Sequence, residues 1–434
     1  MSFVKHFSII NFGCKLNIYE SESIAYLLSN NGYEITEDHH KASVIIINTC
    51  TVTNKTDSKC RYTIRKAKRE NPSAKIVVCG CLVDTDADAL KELGGIDVLI
   101  TNKNKDKIID ILEIMDTNYD IERPFIYDSP VDGSFNFNTH IMSTHSRAFI
   151  KIQDGCNNFC SYCKIPFARG RSRSRNYDDI ISDIDNIKRA GFHEIILTGI
   201  NIANYEFDKY QFHDLLDKIT DLYPDLRFRL SSIEPQDLGD KFFDVIKKDN
   251  ICPHFHIPLQ SGSDKILKLM NRKYDFNLYY DMLSRIRSVK SNPYISTDII
   301  AGFQSENDTD FMQTYNNASK SDFSYMHLFS YSRREGTKAV DIYPKVPERV
   351  TGERVKMLNE LGVNMNRKYL ESNLNTKKRI IIERNRSGKD YMTGKTENYL
   401  DVIVNRNDLE FKQIYDVEII KVNDDLTVSG EIIV

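Results

Sequence analysis

The chain has 434 residues, 41% hydrophobic and 28% charged, with a net charge of −3; that length allows two or three domains in an ordinary globular composition. No apolar run approaches the roughly 18–20 residues of a spanning helix, and the start, MSFVKHFSIINFGCK, lacks the cationic and apolar stretches of an export signal, so the expectation is a cytoplasmic protein with no membrane partner. The overall charge gives no case for nucleic acid, and any RNA contact must come from local patches.

From the amino end, FSIINFG, SVIIINT, KIVVCG and IDVLI read as buried strands. Between them NIYESESIAYLLSNNGY, SKCRYTIRKAKREN and DTDADALKELGG read as helices. Over residues 1–115 this alternation predicts a small doubly wound α/β domain with a mostly parallel sheet. Residues 116–145 lose the periodicity and carry Pro, Gly, Asp and Asn, the marks of a linker. A second α/β series occupies 146–370. Its candidate strands are RAFIKIQ, HEIILTG, LRFRLSS, HFHIPL, YISTDIIAG and YMHLFSY, separated by amphipathic stretches, which suits a partial (β/α)6 barrel. VPERVTGERVKMLNELGVNMNRKYLESN closes the series as one long helix. From 371 to 434, short β patterns separated by Gly, Asn and Asp turns predict a small antiparallel barrel or sheet.

The nine cysteines are clustered, and clustered thiols in a reducing compartment point to metal ligands or catalytic groups rather than bridges. KIQDGCNNFCSYCKIP sets Cys156, Cys160 and Cys163 in Cys-x3-Cys-x2-Cys spacing directly after a predicted strand. Three thiolates leave one iron of a [4Fe–4S] cube without a protein ligand, since full ligation takes four. The alternative is a zinc loop lacking its fourth ligand. Cys14, Cys50 and Cys81 each follow a predicted strand, and in an open parallel sheet such ends converge on one crevice. Here the alternative is three small hydrophobes of an α/β core. Cys79 lies inside a strand and reads as core, Cys252 as structural, and Cys60 has no assignment.

The Cys156–Cys163 string, with Tyr162 before the third cysteine, resembles the signature of the radical S-adenosylmethionine (SAM) superfamily. Together with FGCKLN at Cys14, NTCTVTN at Cys50 and CGC at Cys81, it is similar over nearly the whole chain to the methylthiotransferases. The resemblance implies an amino-terminal cluster domain, a central radical SAM barrel and a carboxy-terminal RNA-associated TRAM β-barrel. It implies two [4Fe–4S] clusters, on Cys14, Cys50 and Cys81 and on Cys156, Cys160 and Cys163, and two SAM molecules per turnover. One SAM methylates a sulfur held by the first cluster. The other chelates the open iron of the second, yields a 5′-deoxyadenosyl radical and so opens an inert C–H bond. Ordinary base catalysis has no acidic proton to take there. FGCKLNIYESE, DGCNNFCSYCKIPFARGRSRSR, LTGIN, SSIEP and HIPLQSGS look like the branch acting on N6-threonylcarbamoyladenosine in tRNA, at the 2-carbon beside the anticodon. Isopentenyladenosine in tRNA, or a ribosomal protein, is the alternative substrate, and a non-catalytic zinc-containing RNA-binding protein the alternative class. The implied partners are that tRNA, an electron donor of the flavodoxin or ferredoxin type and a sulfur source. One departure stands out: Gln304 and Ser305 replace a Pro–Gly turn that relatives commonly show.

The same resemblance places SAM along the barrel's strand ends. Thr198 and Gly199 end the second strand, Glu234 follows the third and is suited to ribose hydroxyls, and Gln260 and Ser261 follow the fourth. Ser330 and Arg333 follow the sixth, where Arg333 is suited to a carboxylate; each is equally a candidate for loop packing. Two basic stretches are candidate phosphate contacts: ARGRSRSR, with Arg169, Arg171, Arg173 and Arg175, and SKCRYTIRKAKRE, with Arg65, Lys66 and Arg69. The latter is equally a solvated helix face. The last 64 residues carry more acidic than basic side chains, and RNA binding there rests on resemblance alone.

Overall fold

Runs of β-branched residues with no polar alternation belong to strands buried on both faces. In the computed structural model, VIIINT forms such a strand with all six residues buried. The structure describes residues 5–117, 122–130, 133, 135–137, 145–383 and 390–433. They fall into two compact units, one of Met1–Met142, Gln153–Arg175 and Ser332–Thr337, the other of Ser143–Ile152, Asn176–Tyr331 and Lys338–Val434.

The first unit alternates strand and helix: β1 (Lys5–Asn11), α1 (Lys15–Asn30), β2 (Tyr33–Ile35), β3 (Val44–Thr49), α2 (Asn54–Glu70), β4 (Lys75–Gly80), α3 (Cys81–Lys91), β5 (Val98–Ile100), α4 (Ile108–Thr117) and β6 (Phe125–Tyr127). The sheet order is β2-β1-β3-β4-β5-β6, and every pair is parallel. The expected strands are all present. β2 and β6 are additional edge strands, and β6 lies within the stretch expected as linker, part of which falls outside the described residues. Helix α2 buries Cys60, Ile64 and Ala67 against the sheet and leaves Arg65, Lys66 and Arg69 exposed.

In the second unit, Ala148–Lys151, Glu194–Thr198 and Arg227–Leu230 form one parallel trio. His254–His256, Tyr294–Ala301 and Tyr325–Ser330 form another. A bridge between Ser232 and His256 carries the pairing from one trio to the next, so six strands stand in chain order as a partial barrel. Gln304 is buried and Ser305 takes φ 67°. The turn thus keeps a left-handed conformation that glycine adopts more readily. In the last turn of the long helix Glu348–Glu371, Tyr369 and Leu370 join the core of a closed five-stranded barrel. That barrel holds one parallel pair, Asp401–Val404 with Val428–Ile432, where an all-antiparallel arrangement was expected.

A buried charge seam ties the two barrels. Glu194 is fully buried and accepts from Arg227 (2.7 Å) and Arg229 (2.6 Å). The same guanidiniums donate to the carbonyls of Arg379, Thr396 and Glu397 in the terminal barrel. Burial pushes the Glu194 carboxyl up, but Arg229 and Arg227 more than reverse this and hold it at about 2, against an ordinary 4.5. A depressed carboxyl contributes stability that is complete above the ordinary value and is lost as pH falls through the folded one. Glu194→Gln should therefore lower unfolding free energy at neutral pH by about 3–5 kcal/mol, the usual cost of breaking a buried pair. In denaturant titrations, the difference from the unaltered protein should shrink as pH drops from 4.5 toward 2.

Candidate metal centre

Because β1, β3 and β4 are adjacent and parallel, their carboxyl ends lie at one edge of the sheet. Cys14 follows β1 and caps α1, Cys50 directly follows β3, and Cys81 is the first residue of α3. A helix start favours negative charge, so the positions of Cys14 and Cys81 suit thiolates. Cys14 is exposed, while Cys50 and Cys81 are buried. Burial pushes the Cys50 thiol up to about 12, with the neighbouring Cys81 and Cys14 adding to the rise. The Cys81 thiol is raised by burial and drawn back by Arg169 and Lys105. Gly13, at φ +96°, makes room for Cys50: a Cβ there would stand 2.6 Å from its sulfur. Three thiols at the carboxyl ends of adjacent strands, one of them packed where only a glycine leaves room, fit a cluster ligand set.

The second trio, all half-buried, lies on a loop of the same unit. The amide of Asn158 donates to Cys156 Sγ and that of Ile165 to Cys163 Sγ, each at 3.4 Å, the kind of bond that tunes cluster thiolates. Phe159, between the cysteines, holds φ 47°, a strained conformation typical of functional loops. At Gly155, φ +73°, a Cβ would fall 2.0 Å from the Arg171 carbonyl oxygen.

Two links join the trios. Asn102 Nδ2 lies 3.7 Å from Cys81 Sγ and donates to Asp84 (2.8 Å) and to the Ala168 carbonyl (3.0 Å). Burial raises the Asp84 carboxyl to about 7. Arg169 donates to Glu20 (2.8 and 3.0 Å), to Asp154 (3.2 Å) and to Asn17 Oδ1 (2.9 Å). Glu20 also takes Lys105 at 2.5 Å, and Lys105 reaches Asn48 at 2.9 Å. All three charged side chains are at most 1% exposed. Beside these loops lies a cavity of about 440 Å³ whose lining includes Asn54, Arg61, Asp86, Lys164 and Arg333. Arg334, next to it, is buried against Asp57 (2.8 Å) and Thr51, which pins the loop after Cys50.

The remaining candidates divide. Arg169 and Arg175 are buried, so their expected phosphate contacts are corrected: Arg169 is bound into the core by Glu20 and Asp154. Arg173 is half-buried and donates to the Arg169 carbonyl (2.8 Å). Arg171 is exposed, over the Phe159 ring. Glu234 is ion-paired with Arg272, and Ser261 is fully buried against Thr314 (3.1 Å). Thr198 is buried, Gly199 and Tyr162 half-buried, and Ser330 and Arg333 exposed. Gln260 holds φ 64°. Cys60 and Cys79 are buried near the Cys50 carbonyl and Asn48 Oδ1 (3.7 Å each), and Cys252 near Glu194 (3.9 Å). Sequence reasoning missed Gly13, Gly155, Glu20, Lys105 and Asn102. For the two glycines the Gly–Cys pairs in FGC and DGC were a usable signal.

Glu20→Gln would leave two buried cations short of their shared counter-ion. Unfolding free energy should fall by about 3–5 kcal/mol in chemical denaturation, whereas an equal substitution at exposed Glu34 should have no measurable effect.

Residues 6–101 match the family described as Uncharacterized protein family UPF0004, and residues 150–318 match the Radical SAM superfamily. The chain is 35% identical over 425 residues to the Threonylcarbamoyladenosine tRNA methylthiotransferase MtaB of Bacillus subtilis (strain 168), covering 94% of this chain and 92% of that protein. It is 33% identical to the tRNA-2-methylthio-N(6)-dimethylallyladenosine synthase of Clostridium tetani, covering 96% and 94%. A solved structure of the radical SAM methyltransferase TsrM from Kitasatospora setae, with cobalamin and a [4Fe-4S] cluster bound, superposes with a TM-score of 0.59 at 14% identity, over 76% of this chain and 72% of that one; at that identity the likeness is one of fold. Among the described residues no helix is long and apolar enough to cross a membrane. With the cysteine geometry and relatives aligned end to end, the chain belongs to the radical SAM methylthiotransferase family and is an enzyme that transfers a methylthio group.

Proposed function

We propose that the chain is a tRNA methylthiotransferase acting at the 2-carbon of N6-threonylcarbamoyladenosine beside the anticodon, with one [4Fe–4S] cluster on Cys14, Cys50 and Cys81 and another on Cys156, Cys160 and Cys163. The observation that carries the reading is the presence of both thiol trios in one compact unit, joined through Asn102 and Arg169. The relative matched over 94% of the chain carries that substrate in its name. When bound, the clusters supply the electron that cleaves the SAM sulfonium and an iron position for the sulfur to be transferred.

The chain's own residues hold and orient. Amides of Asn158 and Ile165 support the Cys156 and Cys163 sulfurs, and Arg169 fixes the loop that carries them. Arg333 on the charged cavity of the first unit is suited to the SAM carboxylate, with Tyr162 on the cysteine loop as a further contact. Thr198, Gly199, Gln260 and Ser330 of the second unit are SAM candidates from their strand-end positions alone. Arg171, Arg65, Lys66 and Arg69, all exposed, are the proposed phosphate contacts. A flavodoxin- or ferredoxin-type donor and a sulfur source complete the reaction. Mass spectrometry of tRNA nucleosides is the test. A deletion strain should lose the 2-methylthio form of N6-threonylcarbamoyladenosine and regain it with the unaltered chain but not with Cys156→Ala. Loss of the isopentenyl counterpart instead, or of a ribosomal-protein modification, would move the substrate to the second reading.

A further inference from the structure

A third group of ligand-type side chains lies in the second unit and plays no part in the chemistry above. His256, Asp298 and His327 come from three neighbouring strands of the partial barrel, His254–His256, Tyr294–Ala301 and Tyr325–Ser330. Register brings them together: His256 stands opposite Ser296, and Asp298 opposite His327. Side chains two apart on a strand share a face, so Ser296 and Asp298 put all three residues on one side of the sheet. Thr297 points to the other side, where it meets Tyr279 (3.2 Å) of the covering helix Phe276–Val289. The His–Asp–His face is therefore the inner face of the partial barrel.

One nitrogen from each imidazole and one Asp298 oxygen all lie within 4.8 Å of one another. His256 Nε2 is 3.3 Å from Asp298 Oδ2, a separation that two ligands of one ion keep when each stands about 2.1 Å from it. His256 Nδ1 is 3.0 Å from Ser296 Oγ, an outer contact of the kind that orients a ligating ring. A plain histidine–aspartate pair would need only His256; the His327 ring, with its centroid 5.6 Å from that of His256, supplies the third ligand. Two imidazoles and one carboxylate suit transition-metal ions and leave coordination positions open.

We propose that His256, Asp298 and His327 hold a divalent cation of the zinc, manganese or ferrous class on the inner face of the partial barrel, its open positions filled by water or a ligand oxygen. Manganese is the useful probe, because it prefers nitrogen and oxygen donors to the thiolates elsewhere in the chain. The full-length protein is titrated with Mn²⁺ and the free ion followed by electron paramagnetic resonance. Saturable binding of about one ion per chain is expected, weakened at least about tenfold in His327→Ala and in Asp298→Asn. His327 is exposed, so its truncation leaves the core intact. The absence of saturable binding, or binding of equal strength in both variants, overturns the proposal.

Discussion

The first unit is organised around one buried electrostatic constraint. Glu20, Asp154, Lys105 and Arg169 are out of contact with water, where an unpaired charge costs several kcal/mol. They are tolerable only in mutual contact. Arg169 meets that demand because a planar fork addresses several acceptors at once, here Glu20, Asp154 and Asn17. Glu20 and Asn17 lie on α1, directly after Cys14, and Asp154 lies two residues before Cys156. Satisfying the charges thus sets where both cysteine loops stand. The same two cations face Cys81 and favour its ionised form against the burial that opposes it.

Function and stability share this arrangement. A parallel sheet brings three chain-distant thiols to adjacent strand ends, and two of them occupy helix starts, so the backbone itself offers positive potential to a thiolate set. In the second unit the seam of Glu194, Arg227 and Arg229 plays the corresponding part. It uses one fully compensated carboxylate to join the partial barrel to the terminal one. Both devices place charge inside the protein only where a fork of donors meets it.

Much of this was legible in the sequence, for a physical reason. Buried strands such as VIIINT and KIVVCG announce themselves by unbroken apolar runs, and Cys-x3-Cys-x2-Cys is a local spacing that needs no tertiary knowledge. Edge strands β2 and β6, three residues each and only partly buried, carry too little pattern to be seen. Arg169 and Arg175 looked like surface charge because burial depends on partners far along the chain: Glu20 is 149 positions from Arg169. The parallel pair in the terminal barrel depends on strand order, which no local pattern records. His256, Asp298 and His327 are isolated in sequence for the same reason and meet only through register.

The central claim is that six thiols form two separate iron sites within one unit. It is tested most directly by Mössbauer and iron analysis of anaerobically reconstituted protein, beside variants with either trio changed to alanine. About eight irons are expected in the unaltered chain, from two [4Fe–4S] clusters, with each variant retaining about four in an intact cluster. A chain that never exceeds about four irons, or a Cys14/Cys50/Cys81 variant with undiminished iron, would contradict the account.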